Sequence, residues 1–159
     1  MLKWLWLSAV VLALDLATKA MATHYLTLYQ PVPVFPGFNW TLAHNTGAAF
    51  SFLSDQSGWQ RWFFSAIALV VSVGLVVWLR RLESSQRWLA LALSLILGGA
   101  LGNLWERVTQ GYVVDFIEVY YDRWAWPAFN LADSAIFLGA VILVADSIWG
   151  GRDGQAQKD

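Results

Sequence analysis

Four long apolar runs, at residues 4–22, 62–79, 88–105 and 129–149, restrict what this chain can fold into more than any other feature of it. A bilayer core of about 30 Å takes about 20 apolar residues in a helix. Within that core only helices and closed barrels satisfy every backbone N–H and C=O. Each run approaches the required length, so four transmembrane helices are expected. The composition agrees: 58% of residues are hydrophobic and 13% are charged, against about 25% charged in soluble domains. All of the 11 tryptophans except Trp40 lie at or near the end of a run, where an indole sits well between headgroups and acyl chains. A chain of 159 residues is about the size of one domain, taken here as 1–159.

Lys and Arg outside the runs set the orientation. Lys3, Arg80, Arg81, Arg87, Arg152 and Lys158 fall on one side, and Arg61, Arg107 and Arg123 on the other. The positive-inside rule puts both termini in the cytoplasm and the connections 23–61 and 106–128 on the outer face. Both connections are longer than a helix-to-helix turn requires, so function is sought there. In the first, Pro31, Pro33 and Pro36 are followed by Phe38, Trp40 and Leu42 at period two, the pattern of short strands. The second is compatible with a surface helix or with strands. The fold class is thus an all-α membrane protein with a small β-rich outer segment, ending in a solvated tail from Gly150 to Asp159. Lys3, the uncharged residues after it and Ala20-Met21-Ala22 also have the layout of a cleavable secretory signal. Asp15 and Lys19, between that apolar stretch and the supposed cleavage point, favour a retained first span.

Composition also removes whole classes of chemistry. With no cysteine there is no thiol nucleophile, disulfide or thiolate metal site. His24 and His44 are the only histidines and lack metal-ligand spacing, so no metal site is expected. A net charge of −1 and the lack of any basic stripe argue against nucleic acid as a partner.

Ionisable groups inside a span cost at least ~2.5 kcal/mol each at its centre, so they face protein or a wet cavity. Asp15 and Lys19 are one helical turn apart in the favourable order for an ion pair. Asp146 lies at the cytoplasmic end of the fourth run, about 20 Å along the helix from Asp133, and reads as an interfacial residue. Asp133 opens that run on the outer side, one turn after Asn130 and on the same face. Asp115, in Val113-Val114-Asp115-Phe116-Ile117, is an acid flanked by apolar residues in the outer connection. Two such carboxyls brought together give a general acid and a general base; apart, each is a structural acid. Gly98 and Gly102 form a G-x-x-x-G pattern that allows close helix packing.

The motifs Asp15-Leu16-Ala17-Thr18-Lys19, Asn45-Thr46-Gly47-Ala48-Ala49-Phe50, Gly98-Gly99-Ala100-Leu101-Gly102-Asn103, Val113-Val114-Asp115-Phe116 and Phe129-Asn130-Leu131-Ala132-Asp133-Ser134 occur in this order. Together they resemble the successive motifs of the lipoprotein signal peptidases (signal peptidase II), across nearly the whole chain outside its termini. The resemblance implies a cofactor-free aspartic endopeptidase of the bacterial inner membrane. Its substrates would be prolipoproteins, cut just before a cysteine carrying a diacylglyceryl group, and its other partners membrane lipids; the chain is expected to be a monomer. By motif position, Asp115 and Asp133 match the catalytic pair, and Asn45, Asn103, Arg107 and Asn130 match the polar residues around it. Asp15 and Lys19 match a supporting pair. Two positions depart from the pattern: Leu16 stands where the family has glutamine, and Glu106 where it has aspartate.

Other classes fit less well. A small ion or proton transporter would use intramembrane acids, but no inverted repeat is visible. A non-catalytic lipid-binding scaffold would leave Asp115 and Asp133 merely structural. No G-x-S-x-G elbow supports a serine peptidase. The orientation is directly testable. Reporter fusions after residue 150 should report the cytoplasm and fusions near Trp40 and Asp115 the outer compartment; an external C-terminal tail would reverse the assignment.

Overall fold

The computed structural model describes residues 1–47 and 58–149. Ala48, Ala49 and Phe50 of the second motif, and the tail with Arg152 and Lys158, lie outside the described residues. After a short 3-10 turn at Leu2–Trp4 the elements are α1 (Leu5–Tyr25), β1 (Val32–Phe35), β2 (Phe38–Asn45), α2 (Trp59–Arg81), α3 (Arg87–Thr109), β3 (Val113–Tyr121), β4 (Trp124–Ala125) and α4 (Leu131–Trp149). Four helices, one from each apolar run, are long and apolar enough to cross a membrane.

The central helix is α3, which packs against α1, α2 and α4. Glycines make the closest approaches possible. A Cβ at Gly99 would lie 2.4 Å from the Ala132 carbonyl oxygen of α4, and one at Gly98 2.8 Å from the Ser8 carbonyl oxygen of α1. The G-x-x-x-G pattern does more than pack helices: a Cβ at Gly102 would stand 2.4 Å from Asp15 Oδ2. Only glycine at 102 leaves room for that carboxylate. Toward the other end, Leu75, Leu79 and Leu82 close against Leu89, Ala90, Leu93 and Leu97 in an apolar cluster that fastens α2 to α3.

The strands form one antiparallel sheet in the order β1-β2-β3-β4. The period-two pattern at Phe38, Trp40 and Leu42 belongs to β2, and the undecided second connection forms β3 and β4. Pro36 and Gly37, with φ +93° at the glycine, turn β1 into β2. Leu42, Val114 and Phe116 pack with Ala22 at the end of α1, which seats the sheet on the bundle. Between Trp40 and Ala43 the β2–β3 register shifts, so that Ala43 pairs with Asp115 and Asn45 with Val113. A bulge of this kind re-aims side chains, and here it places Asn45 beside the Asp115 carboxylate.

Helix α3 continues to Thr109, four residues past the expected end of the third span, so Glu106 and Arg107 are helical rather than part of the connection. Arg61, at the start of α2, donates from Nη2 to the Val108 carbonyl oxygen. It thereby satisfies one of the carbonyls that the end of α3 leaves without an intrahelical partner.

The glycine contacts lead to a paired test. Gly99→Ala should force α3 and α4 apart and lower Tm in detergent by roughly 5 °C, since overpacking costs about 1–3 kcal/mol. Gly74→Ala, where a Cβ meets nothing within 4 Å, should leave Tm unchanged or slightly raised.

Candidate active site

Lys19 lies at the base of the site. Its side chain is 2% exposed and its ammonium meets three acceptors, Asp15 Oδ2 at 2.8 Å, Asn103 Oδ1 at 2.9 Å and Glu106 Oε2 at 3.0 Å. Two of these contacts are ion pairs and the third is a hydrogen bond, so the charge is matched by two carboxylates and one amide oxygen. The i,i+4 spacing of Asp15 and Lys19 along α1 makes the first pair local; the other two cross to α3.

Each acceptor carries a second bond outward. Asp15 Oδ1 accepts the Ala132 N–H of α4 at 2.9 Å. Glu106 Oε2 also accepts the Val114 N–H of β3 at 3.0 Å, immediately before Asp115. Asn103 donates from Nδ2 to Asp133 Oδ1 at 2.8 Å. One ion thus ties α1, α3, α4 and β3 together.

Asn130 closes the arrangement. Its side-chain amide donates to Asp115 Oδ1 at 2.7 Å, while its backbone N–H donates to Asp133 Oδ2 at 3.3 Å. In return the Asp133 N–H donates to Asn130 Oδ1 at 2.9 Å. This reciprocal exchange between the residue preceding α4 and its third residue has the form of a capping box. The cap therefore also holds two carboxyl groups within reach of one residue. Asn45 donates to Asp115 Oδ2 at 3.0 Å and is itself held by the Gly47 N–H on its Oδ1 at 2.9 Å.

Asp115 is 2% exposed. Burial pushes its carboxyl up to about 6; the amides of Asn45 and Asn130 and the Lys19 charge oppose the rise, and the Asp133 charge adds to it. A cavity of about 280 Å³ opens on this carboxyl, lined also by Ala43, Asn45, Pro127 and Ala128.

The eight residues singled out in the sequence converge, with one qualification. Asp15, Lys19, Asn45, Asn103, Asp115, Asn130 and Asp133 form one continuous hydrogen-bonded network. Arg107 is adjacent but touches neither carboxylate: it donates to the Asn103 carbonyl oxygen at 3.3 Å, and its guanidinium lies 5.7 Å from the Phe64 ring centre. Its Nε is buried with no partner among the described residues. Sequence reasoning missed two contributions. Glu106, a departure from the motif that could hold Arg107 or a loop backbone group, does hold the Val114 N–H, but its ion pair with Lys19 was not foreseen. Arg61 counted only as a loop charge, and nothing in the sequence indicates that it braces the end of α3. Asp146 belongs to the opposite end of α4, away from this network.

Comparisons with known proteins place the chain as a whole. The chain is 57% identical to the lipoprotein signal peptidase of Pseudomonas aeruginosa (strain PAO1), over 98% of this chain and 93% of that protein. It is 59% identical to the lipoprotein signal peptidase of Pseudomonas putida (strain KT2440), over 91% and 86% of the two chains. Two solved structures of a bacterial membrane enzyme, determined in meso at 2.3 Å and 1.9 Å, superpose with a TM-score of 0.81 each. They are 28% and 29% identical in sequence, covering 100% and 94% of this chain and 93% and 94% of theirs. The model of the family described as signal peptidase (SPase) II matches residues 7–149. With a full-length match of sequence and fold around this network, the chain belongs to the signal peptidase II family, a family of membrane proteases.

Proposed function

We propose that this chain is an aspartic endopeptidase that removes signal peptides from prolipoproteins, cutting just before a cysteine that carries a diacylglyceryl group. The observation that carries the reading is Asn130, which bonds the Asp115 carboxyl through its side chain and the Asp133 carboxyl through its backbone N–H. Two acids so coupled divide the work. Asp133, as the base, takes a proton from water as the oxygen attacks the scissile carbonyl carbon. Asp115 holds its proton through burial and delivers it to the leaving nitrogen as the C–N bond breaks. Transfer of a proton from Asp133 to Asp115 restores the starting state.

The peptide enters the cavity beside Asp115, whose small walls, Ala43 and Ala128, suit an extended chain with small side chains. Arg107, charged and without a partner at Nε, is available to a substrate carbonyl. All these side chains come from one copy of the chain, so a monomer suffices. The Lys/Arg asymmetry supports an orientation with both termini in the cytoplasm and the site on the outer face, which for this family reads as the periplasmic side of the inner membrane.

Cleavage of a diacylglyceryl-modified prolipoprotein by the purified chain tests the reading. Asp115→Asn and Asp133→Asn should each abolish cleavage, and retained activity in either would refute the pair. The pH profile gives a second check. Below pH ~6 Asp115 keeps the proton it must donate; above it that proton is lost, so kcat/KM should fall along an alkaline limb near 6. Bound substrate excludes more water and raises the Asp115 value further, so the limb in kcat should lie above that in kcat/KM. Loss of activity below pH ~6 rather than above it would assign the roles in reverse.

Glu106 supplies a separate prediction. Glu106→Ala leaves Lys19 with a single carboxylate and the Val114 N–H without an acceptor, a defect of about 3–5 kcal/mol for a buried pair. Both Tm and kcat should drop. Glu106→Asp keeps the charge and should change kcat by less than about tenfold. Unchanged Tm and activity in Glu106→Ala would remove its supporting role.

A further inference from the structure

Phe64 belongs to the second apolar run, in α2, where an aromatic ring is expected to face lipid. Its neighbours are open in that way: Trp62 is 60% and Phe63 49% exposed. Phe64 is instead half-buried and meets two groups from other parts of the chain. One is Gly47, just after β2. A Cβ there would lie 2.6 Å from Phe64 Cε2 and 2.7 Å from Cδ2, so the glycine rests against the edge of the ring. The other is Arg107 of α3, whose Cζ stands 5.7 Å from the ring centre, within the reach of a cation–π contact.

Both groups lead to the paired carboxyls. Gly47 donates its N–H to Asn45 Oδ1 at 2.9 Å, and Asn45 donates to Asp115 Oδ2 at 3.0 Å. Its φ of +85° suits glycine, and the ring fills the space that a side chain would need. Arg107 gives one N–H to the Asn103 carbonyl oxygen at 3.3 Å, and Asn103 in turn donates to Asp133. A carboxylate partner would fix the guanidinium by taking its N–H groups and cancelling its charge. The face of a phenyl ring attracts the cation through its quadrupole and takes no N–H. The donors then stay free for an oxygen that gains charge during the reaction.

We propose that Phe64 is a positioning residue for the peptidase reaction. Its ring holds the Arg107 guanidinium by a cation–π contact and, along its edge, supports the turn that keeps Asn45 on Asp115. This rests on the reading of Arg107 as a donor to the substrate carbonyl. Phe64 acts through Arg107 and Asn45, not on the substrate.

The test replaces Phe64 in the full chain with mono-, di- and trifluorophenylalanine, which weaken the quadrupole with little change of shape. On a diacylglyceryl-modified prolipoprotein, kcat should fall stepwise with fluorination, by about fivefold at the trifluoro ring. KM should hold, because the guanidinium acts on charge that develops only in the transition state. Phe64→Leu should lose at least as much, and Phe64→Tyr, which keeps the ring, should recover most of the rate. Tm in detergent gives a readout that needs no cleavage: fluorination should lower it in the unmodified chain and leave it unchanged in Arg107→Gln. A kcat independent of fluorination would overturn the proposal, since a ring that merely fills space is blind to its quadrupole. So would an equal fall in Tm with and without Arg107. Failure of the peptidase reading shows differently, as an unmodified chain that cleaves no prolipoprotein, and the Tm comparison then still supports or overturns the contact.

Discussion

The buried ammonium of Lys19 is the interaction on which the rest of the structure depends. An isolated charge in an apolar bundle is prohibitive, and it is tolerated only when paired and fully hydrogen-bonded. Here it is ion-paired with Asp15 and Glu106 and hydrogen-bonded to Asn103, and these are the residues that position the site. Asp15 reaches the first turn of α4, Asn103 reaches Asp133, and Glu106 reaches the backbone of β3 beside Asp115. Any rearrangement that separated these helices would expose an unpaired charge to the interior, so the cost of burying the ion also holds the elements in place. Gly102 is part of the same constraint, since a methyl group there would occupy the position of the Asp15 carboxylate.

Capping and chemistry share residues at the start of α4. A helix N-terminus must find acceptors for its free N–H groups, and in this chain Asp15 and Asn130 supply them for Ala132 and Asp133. Asn130, which caps the helix, also holds both carboxyl groups, Asp115 through its side-chain amide and Asp133 through its backbone N–H. A carboxyl buried like Asp115, raised to about 6, costs free energy whenever it is ionised. The hydrogen bonds from Asn45 and Asn130 offset part of that cost and fix its orientation.

The two departures from the family pattern sit together. Leu16 and Glu106 both line a cavity between α1 and α3, where leucine extends the apolar wall and glutamate, longer by a methylene than aspartate, spans from α3 to the β3 backbone. Their effects are therefore coupled through one space, and neither residue contacts the paired carboxyl groups directly.

Much of this protein was legible without coordinates. Apolar run length sets the four helices because a bilayer core admits few alternatives. The i,i+4 spacing of Asp15 and Lys19 sets their pairing because both ride one helix. Period two at Phe38, Trp40 and Leu42 gives a strand, and the ordered motifs carry the family resemblance. What the sequence could not decide depends on groups far apart in the chain. Asn45 reaches Asp115 only because the register shift between Trp40 and Ala43 aligns β2 with β3, and local periodicity carries no information about strand register. Arg61 braces α3, Glu106 serves Lys19 and the β3 backbone, and Arg107 stands apart from both carboxylates; for each, the partner is set by how the helices pack. The sequence by itself determined which segments enter the membrane and which residues are too polar to be there without partners. Only the tertiary structure decided which partners they found, because hydrogen bonds across 70 to 117 residues of chain exist only once the bundle and the sheet have closed around them.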